Sequence, residues 1–497
     1  MIDQIIKWIL IFLLVFTPIA FGSVELIAFS LMELTIILMI ILGVIQTLRD
    51  SKLAIRRTSI GLHDGTERYP VQDTGSNQIS PITVILLFLF LCLILFQTVP
   101  LPSGILKLIS HKAFEIRNQL LMGSPPAEAG ALSFQLSLFP FGTQIEFLKW
   151  FTLIGLFLFL VRSSLLCEYR RASQFIFAIL LIGVGESLYG MYEFFSGNRS
   201  ILYVKSEFLV SSVTGTFINR NYLAGYLLMV IPLSVGFLFS RETLQRSRYA
   251  DWRQQLSSLD GKALLIGFSV IVMILGLFFT ASRMGISSLL LSFSLITLLF
   301  RSPQKERRFS RTSALILGLA LLWAAWIGLD AVISRFFTAS EDFKSRWMIW
   351  KDTFRIFKDF PLFGSGLGTF AQIFPMYRSF HIRGLVTHAE NDPLQLASEV
   401  GLVGMGMLIM IFVPVFLKAF SGIRSLSVRD SKRYIGIGGL VGVLALMFHS
   451  LVERNIQIPA NAFLFTFIFA MVLRLGFDQE RGRIGLKRDF VLPESSA

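Results

Sequence analysis

Residues 341–404 decide how this chain is organised, and they read EDFKSRWMIWKDTFRIFKDFPLFGSGLGTFAQIFPMYRSFHIRGLVTHAENDPLQLASEVGLVG. This stretch is polar, aromatic and rich in Gly, whereas the sequence on either side consists mostly of long apolar runs. It also carries two of the five histidines of the chain, His381 and His388. We interpret it as a loop outside the membrane that holds the active site of a polytopic membrane enzyme.

The composition on both sides of this loop is that of a membrane protein. Of 497 residues, 54% are hydrophobic and only 16% are charged, whereas soluble domains carry about 25% charged residues. Runs long enough to cross a bilayer, which takes about 20 residues, predict about twelve spans. They lie near 5–22, 26–48, 81–101, 146–161, 174–195, 221–240, 263–281, 285–300, 312–330, 396–417, 435–452 and 458–476. The expected fold class is all-α, a polytopic integral membrane protein with a long helical outer loop between helices 9 and 10.

The basic residues predict the orientation of these spans. With the N-terminus in the cytoplasm, all six clusters of Lys and Arg fall on the cytoplasmic side, as the positive-inside rule requires. The net charge of +14 is therefore a topology signal, and no nucleic acid is needed as a partner. The first apolar run lacks a cleavage-site pattern, so we expect a membrane anchor. Cys92 and Cys167 lie in or beside apolar runs and predict neither a disulfide framework nor a metal cluster.

This topology divides the chain into four parts. We expect N-terminal helices at 1–200 with an outer loop at 102–145, and a catalytic core at 201–420 that includes the outer loop 331–395. C-terminal helices at 421–476 and a cytoplasmic tail at 477–497 complete the chain. Loops longer than about 15 residues usually carry function or are disordered, and the loop 331–395 is too aromatic for disorder.

An amphipathic helix that ends at Pro361 is predicted within the long loop. Its aromatic residues share one helical face, and they are Phe343, Trp347, Trp350, Phe354 and Phe357. Such a helix can lie in the membrane interface and pack against lipid or against the top of the helix bundle.

Three arginines at the boundaries of the outer loops are candidates for binding an anion: Arg220, Arg283 and Arg346. A guanidinium group near the bilayer is costly unless it meets an anion or lines a wet cavity, and its shape suits phosphate oxygens. The alternative is an interfacial arginine bound to lipid headgroups or to a helix-end carbonyl.

The sequence HAEND, residues 388–392, carries the candidates for proton transfer. His388 can act as a base or orient a hydroxyl, and Glu390 can do either if burial raises its pKa. The alternative is that Asn391 or Asp392 caps the helix that starts at Pro393, a reading we favour for Asp392. His388 and Glu390 would then be solvated neighbours.

Other patterns are absent or less informative. His449 lies near the end of a span and is followed by Glu453 and Arg454. We interpret Glu453 and Arg454 as a helix-end ion pair and assign no catalytic role to this group. The chain has no Asp-x-Asp, Walker, His-Glu-x-x-His or Gly-x-Ser-x-Gly pattern. A metal-dependent sugar-nucleotide transferase, an ATPase and a serine hydrolase are therefore unsupported, and we expect no metal and no cofactor.

Four segments in consistent order resemble the O-antigen ligase/Wzy polymerase superfamily. They are GTFINRNYLAGYL from Gly215, TASRMG from Thr280, SRWMIWKDTFRIFKDFPLFGSGLGTF from Ser345 and HAENDPLQLASEVGLVG from His388. Together they cover about 215–405. The sequence departs from the family pattern in two places. Glu390 stands where members often have His directly before Asn-Asp, and Met284 stands where many have Gly.

The resemblance implies a metal-independent inverting glycosyltransferase of the bacterial inner membrane, with its site on the periplasmic face. Its donor would be a glycan on undecaprenyl diphosphate, and its acceptor the lipid A core or another glycan. Arg283, helped by Arg220 or Arg346, would hold the diphosphate, with Ser282 and Asn391 as further substrate contacts. His388 or Glu390 would deprotonate the acceptor hydroxyl.

Two alternatives to O-antigen ligation stay open at this point. The first is a Wzy-like polymerase of O-antigen or exopolysaccharide within the same superfamily. The second is a transporter or flippase of lipid-linked sugars, which would require ionisable residues inside spans and paired halves. Glu33 and Glu186 are the main ionisable residues in the spans, and no two-fold repeat is evident.

Overall fold

The computed structural model describes residues 2–59, 79–121, 133–197, 200–202, 204–205, 212–244, 261–299, 318, 339–381 and 384–477. The predicted span at 312–330, apart from Gly318, and the tail beyond residue 477 lie outside these ranges. The helices of the N-terminal half are α1 (Ile2–Ile19), α2 (Leu26–Ser59), α3 (Pro81–Phe96), α4 (Ser103–Ile109), α5 (His111–Leu121), α6 (Pro140–Arg162), α7 (Tyr169–Ser196) and α8 (Arg220–Leu244). Those of the C-terminal half are α9 (Gly261–Phe279), α10 (Arg283–Leu299), α11 (Ala339–Asp359), α12 (Phe370–Tyr377), α13 (Asp392–Ser425), α14 (Ser431–His449) and α15 (Pro459–Phe477).

The all-α membrane fold predicted from the sequence is confirmed. Within the described residues, nine helices are long and apolar enough to cross a membrane: α1, α2, α6, α7, α8, α9, α13, α14 and α15. The apolar helices α3 and α10 are shorter and also coincide with predicted spans. Strand pairing is limited to two short antiparallel hairpins in the described chain. They pair β1 (Pro100–Pro102) with β2 (Ser133–Gln135) and β3 (Ser200–Ile201) with β4 (Val204–Lys205).

Helix α8 is the centre of the bundle. Every residue from 221 to 240 is buried, and the helix packs against α7, α9, α10, α14 and α15. Its approach to α14 depends on glycine, because a Cβ on Gly438 would lie 2.4 Å from the carbonyl oxygen of Pro232. A Cβ on Gly442 would lie 2.8 Å from that of Met229. Small residues allow two membrane helices to come this close, so α8 and α14 hold their ends in a fixed relation.

Hydrogen bonds between helix ends agree with the predicted alternation of spans. Tyr169 and Ser240, both assigned to the cytoplasmic side, lie 3.1 Å apart through their hydroxyl oxygens. Arg474 donates to the carbonyl of Ser163 at 3.3 Å, again joining two ends assigned to that side. At the opposite end, Asn221 donates to Glu453 at 2.7 Å. The ends that the basic residues assign to one side are therefore neighbours in the fold.

Helix α13 is broken at Gly401, and the long loop packs into the break. Gly401 has φ 65 and ψ −170, a conformation that is essentially restricted to glycine. The amide of Leu402 donates to the carbonyl of Pro361 at 2.8 Å, and the amide of Gly366 donates to that of Glu399 at 3.1 Å. The loop that follows α11 thus satisfies backbone groups which the break would leave unpaired, and it fixes the loop to the bundle.

The predicted amphipathic helix is confirmed as α11, but its aromatic face is not the face that packs inward. The buried side chains include Ile349 and Ile356, which join the small core of the loop, and Asp352 and Thr353. Trp347 is 58% exposed and Phe354 is 46% exposed, whereas Trp350 is half-buried and bonds to Ala389. Most of the aromatic stripe therefore lies outside the packed face.

Candidate active site

Polar side chains from five separate segments meet at one end of the helix bundle. We call this group the polar cluster. It comprises Asn221, Tyr222, Ser282, Arg346, His388, Glu390, Asp392, His449, Glu453, Arg454 and Asn455. The five segments are the start of α8, the turn before α10, helix α11, the segment that leads into α13, and the end of α14 with the connection to α15. Sequence positions more than 200 apart thus form one site.

Glu453 links three of these segments. Its Oε1 atom lies 2.7 Å from a guanidinium nitrogen of Arg346, and its Oε2 accepts from the amide of Asn221 at 2.7 Å. Arg346 also donates to the carbonyl of Val452. The Glu453 side chain is 6% exposed. Burial raises the pKa of the Glu453 carboxyl. The positive charge of Arg346 lowers this pKa, and the nearby negative charge of Glu390 raises it further.

The turn between α9 and α10 joins the cluster through Ser282. The Ser282 hydroxyl lies 3.4 Å from Nε2 of His449, whose Nδ1 is 2.9 Å from the amide nitrogen of Asn455. The turn is tight, since α9 ends at Phe279 and α10 begins at Arg283. Ala281 has φ 51, a left-handed conformation that is uncommon without glycine. Arg283 is therefore the first residue of a helix rather than a loop residue.

Arg220 occupies the matching place on the central helix. It is the first residue of α8 and directly precedes Asn221, whose amide bonds to Glu453. Arg220 and Arg283 are both half-buried. The N-terminal ends of α8 and α10 thus lie beside the same cluster, and helix N-termini carry a partial positive charge that favours anions.

Hydrogen bonds between the backbone of Ala389 and two side chains hold the segment 388–392 in place. Trp350 of α11 donates to the carbonyl of Ala389 at 3.0 Å, and the amide of Ala389 donates to Gln395 at 2.9 Å. Glu390 has φ 50. Strained backbone of this kind persists only where the surroundings enforce it, and it is concentrated at functional sites.

Asn391, and not Asp392, caps α13. The Oδ1 atom of Asn391 accepts from the amide of Leu394 at 2.9 Å. Our preference for Asp392 as the cap is therefore wrong, because the Asp392 carboxylate points into the connection between α14 and α15. Its Oδ2 accepts from the amides of Asn455 and Ile456, both at 2.8 Å. Asp392 thus ties the His388 segment to the connection that carries Glu453.

His388 is electrostatically distinct from an ordinary histidine. Its Nδ1 atom is buried and has no hydrogen-bond partner among the described residues. Burial lowers its pKa to about 2, and the positive charges of Arg454 and Lys149 add to that effect. This environment favours the neutral imidazole, and Nδ1 can accept a proton or a hydrogen bond in the tautomer that carries its hydrogen on Nε2. His381, the other histidine of the loop, is exposed.

The sequence analysis missed the residues between α14 and α15. It interpreted Glu453 and Arg454 as a helix-end ion pair, but Glu453 pairs with Arg346. Arg454 instead contacts Tyr222, with its guanidinium carbon 5.9 Å from the ring centre. The available signal was a run of polar residues, SLVERNIQ from Ser450, between two apolar spans on the predicted outer side. Only the fold shows that Arg346 is the partner of Glu453.

Comparison with known families identifies the central part of the chain. The model of a family described as O-antigen ligase matches residues 268–409. This region belongs to the O-antigen ligase family. The match runs from α9 to the middle of α13, so the O-antigen ligase region contains Ser282, Arg283, Arg346 and the segment 388–392. No curated protein matches the chain. Membership of the O-antigen ligase/Wzy superfamily, which the sequence motifs predicted, is thereby confirmed.

The family indicates the class of activity. Members are membrane glycosyltransferases of the ligase or polymerase type. The cluster combines the guanidinium groups of Arg346 and Arg454, the imidazole of His388 and the buried carboxyl groups of Asp392 and Glu453. The N-terminal ends of α8 and α10 lie beside it. Such a combination can bind an anion and take up a proton, which are the two operations that a metal-independent transfer from a diphosphate requires.

Proposed function

We propose that this protein transfers a glycan from undecaprenyl diphosphate to an acceptor hydroxyl at the periplasmic face of the bacterial inner membrane, with inversion at the anomeric carbon. The acceptor oxygen forms a bond to the anomeric carbon, and the bond between that carbon and the diphosphate oxygen breaks. Undecaprenyl diphosphate leaves with the bonding electrons, and the hydroxyl proton passes to His388 or Glu390. No metal takes part in this scheme.

The observation that carries the proposal is the Nδ1 of His388, which has no partner within the described part of the chain and lies near the positive charge of Arg454. A neutral imidazole with a free acceptor atom can hold an acceptor hydroxyl in position. When the diphosphate enters, its negative charge offsets the positive charge of Arg454, which together with burial lowers the pKa of His388. The imidazole then becomes more basic at the moment when a proton has to be removed.

The positive side of the cluster suits the leaving group. Arg283 and Arg220 begin the two helices whose N-terminal ends face the cluster, and in the proposal they bind the diphosphate, with Ser282 and Asn391 as further polar contacts. Fixed donors that stabilise developing charge are commonly the largest single contribution to catalysis. Arg346 is held against Glu453 at 2.7 Å. We therefore assign it two tasks, which are to orient the cluster and to help neutralise the negative charge of the diphosphate.

Within the family we favour ligation to the lipid A core, because the loop is long and compact and all four motifs of the superfamily are present. A Wzy-like polymerase is the second candidate. The glycans of a deletion strain distinguish them. Polymer that is lost from lipid A but kept on the lipid carrier indicates a ligase, and single repeat units on lipid A indicate a polymerase.

Substitutions test the assignment of residues. Arg283→Ala and His388→Ala should leave the protein in the membrane and abolish glycan transfer. Arg378→Ala and His381→Ala are matched controls, since both side chains lie exposed in the same loop, and both variants should retain transfer. Full glycan transfer by the Arg283 and His388 variants would contradict the proposal.

A reconstituted reaction separates the transferase from a flippase. Purified protein in detergent, given a lipid-linked donor and a lipid acceptor, should form the glycosidic bond without a sealed membrane. A flippase would form no product under these conditions and would instead move the lipid-linked sugar across a vesicle membrane.

A further inference from the structure

Helix α11 presents three different stripes along its length. At about 100° per residue, the buried residues Ile349, Thr353 and Ile356 form one stripe. The aromatic stripe lies about 120° away and consists of Phe343, Trp347, Trp350, Phe354 and Phe357. The basic stripe, Lys344, Lys351 and Lys358, lies about 80° further round. Each stripe therefore faces a different environment.

The buried stripe fixes the helix to the protein. Beyond its apolar packing, α11 is held by Asp352, whose carboxylate accepts from the amide of Ser379 at 2.8 Å. Trp350 donates from its ring nitrogen to Ala389 at 3.0 Å. These contacts leave the rest of the aromatic stripe outside, with Phe343 55% exposed and Trp347 58% exposed.

Exposed aromatic side chains in a row are costly in water. Phe343 and Trp347 stack with ring centres 6.5 Å apart, and Phe354 and Phe357 stack at 5.9 Å, so the stripe forms a continuous apolar surface. Surfaces of this kind mark sites of contact with another molecule or with a membrane. The three exposed lysines along its edge favour an anionic partner.

The position of α11 points to the membrane as that partner. Arg346 pairs with Glu453, which lies four residues beyond His449, the last residue of the span α14. The neighbouring Trp347 is thus close to the depth at which that span ends. Further apolar surface follows the C-terminal end of α11, where exposed Leu362 and exposed Leu402 of α13 lie on segments joined by backbone hydrogen bonds.

We propose that the aromatic stripe of α11 inserts into the interfacial layer of the membrane, and that Lys344, Lys351 and Lys358 bind the phosphates of anionic lipid headgroups. Aromatic residues beside lysines are typical of helices that lie in this layer. This inference does not depend on the proposed glycan transfer. It places one side of the helix against lipid and the next side, through Arg346, in the polar cluster.

Spin labels on the full-length protein in nanodiscs test the proposal. Cys92 and Cys167 are the only cysteines, so replacing both by serine allows single labels through Trp347→Cys or Phe354→Cys. Gln372→Cys is the matched control at an exposed position of α12. Collision with oxygen and with a water-soluble nickel chelate measures the depth of each label.

Labels at 347 and 354 should be reached by oxygen and shielded from nickel, at about 5–10 Å below the headgroup boundary. The label at 372 should be reached by nickel. Nickel access at 347 and 354 equal to that at 372 would overturn the proposal. Dipolar broadening between labels at 347 on two copies would overturn it too, because the stripe would then be a dimer surface.

The lysines are tested with lipids of different charge. In nanodiscs that contain phosphatidylglycerol, the combined Lys344→Gln, Lys351→Gln and Lys358→Gln substitutions should move the label at 354 outward. In discs of phosphatidylcholine alone they should leave it unmoved. An unchanged depth in both lipids would overturn the assignment of the lysines to anionic headgroups.

Discussion

Asp392 makes a structural link whose loss should disable the polar cluster. Its side chain is 5% exposed, and its Oδ2 accepts from the amides of Asn455 and Ile456, both at 2.8 Å. Asp392→Ala leaves two buried N–H groups without a partner, and each costs about 1–3 kcal/mol. We therefore expect the free energy of unfolding to fall by about 2–6 kcal/mol. Because the same contacts hold the connection that carries Glu453, glycan transfer should fall as well.

Two further variants make this prediction specific. Asp392→Asn keeps an oxygen within reach of both amides and should lose less stability and less activity. Asp430→Ala is the matched control, since Asp430 caps the opposite end of α14 by accepting from the amide of Lys432 at 2.9 Å. Its loss should cost about 1 kcal/mol and leave transfer intact.

The assay is thermal unfolding in nanodiscs together with transfer from a lipid-linked donor. The reasoning would be refuted if the Asp392→Ala protein unfolded at the same temperature as the Asp430→Ala protein and transferred glycan at the wild-type rate. An Asn substitution as damaging as Ala would also refute it, because the link would then depend on charge rather than on the accepted hydrogen bonds.

Three other predictions follow from the same structure. Gly401→Ala should lower the free energy of unfolding by several kcal/mol, because a φ of 65 is strained for any residue with a side chain and a Cβ would lie 2.3 Å from the carbonyl oxygen of Leu362. Thermal unfolding checks this, with Gly406→Ala as the control because a Cβ at Gly406 would meet open space. Arg346→Gln should cost about 3–5 kcal/mol by leaving Glu453 buried without its cation, and adding Glu453→Gln should restore part of it in a double-mutant cycle; strictly additive effects would count against the pair. Burial lowers the pKa of His388 from 6.5 to about 2. Below about pH 6.5 this histidine therefore takes up a proton only in the unfolded chain, and the free energy of unfolding falls. His388→Gln should remove about 2 kcal/mol of this loss between about pH 6.5 and about pH 4.5, and an identical pH dependence in both proteins would contradict the prediction.

The prediction of the spans from the sequence succeeded because a bilayer imposes a simple rule. Backbone polar groups must be satisfied within each helix, and the side chains must be apolar over a fixed length. Eleven of the predicted spans therefore coincide with helices, from α1 to α15, within the described residues. The turn at Thr280–Arg283 and the helix that ends before Pro361 follow from equally local signals.

Side-chain partners were predicted less well. The sequence named Asn391 and Asp392 as alternative caps, and the structure assigns the cap to Asn391. It proposed that Glu453 pairs with its neighbour Arg454, whereas the guanidinium of Arg346, 107 positions earlier, lies 2.7 Å away. A partner so distant in sequence leaves no local pattern, because it is the packing of α8 against α14 that brings the segments together.

The sequence by itself determined the membrane class, the family and the segments that supply the polar cluster, except for the connection between α14 and α15. Hydrophobicity, motif spacing and basic residues are properties of the chain that survive without knowledge of its neighbours. The tertiary structure decided which face of α11 is buried, that burial lowers the pKa of His388 and leaves its Nδ1 without a partner among the described residues, and that Asp392 joins two loops. These properties depend on burial and on distances between remote residues, and only the packed fold sets both.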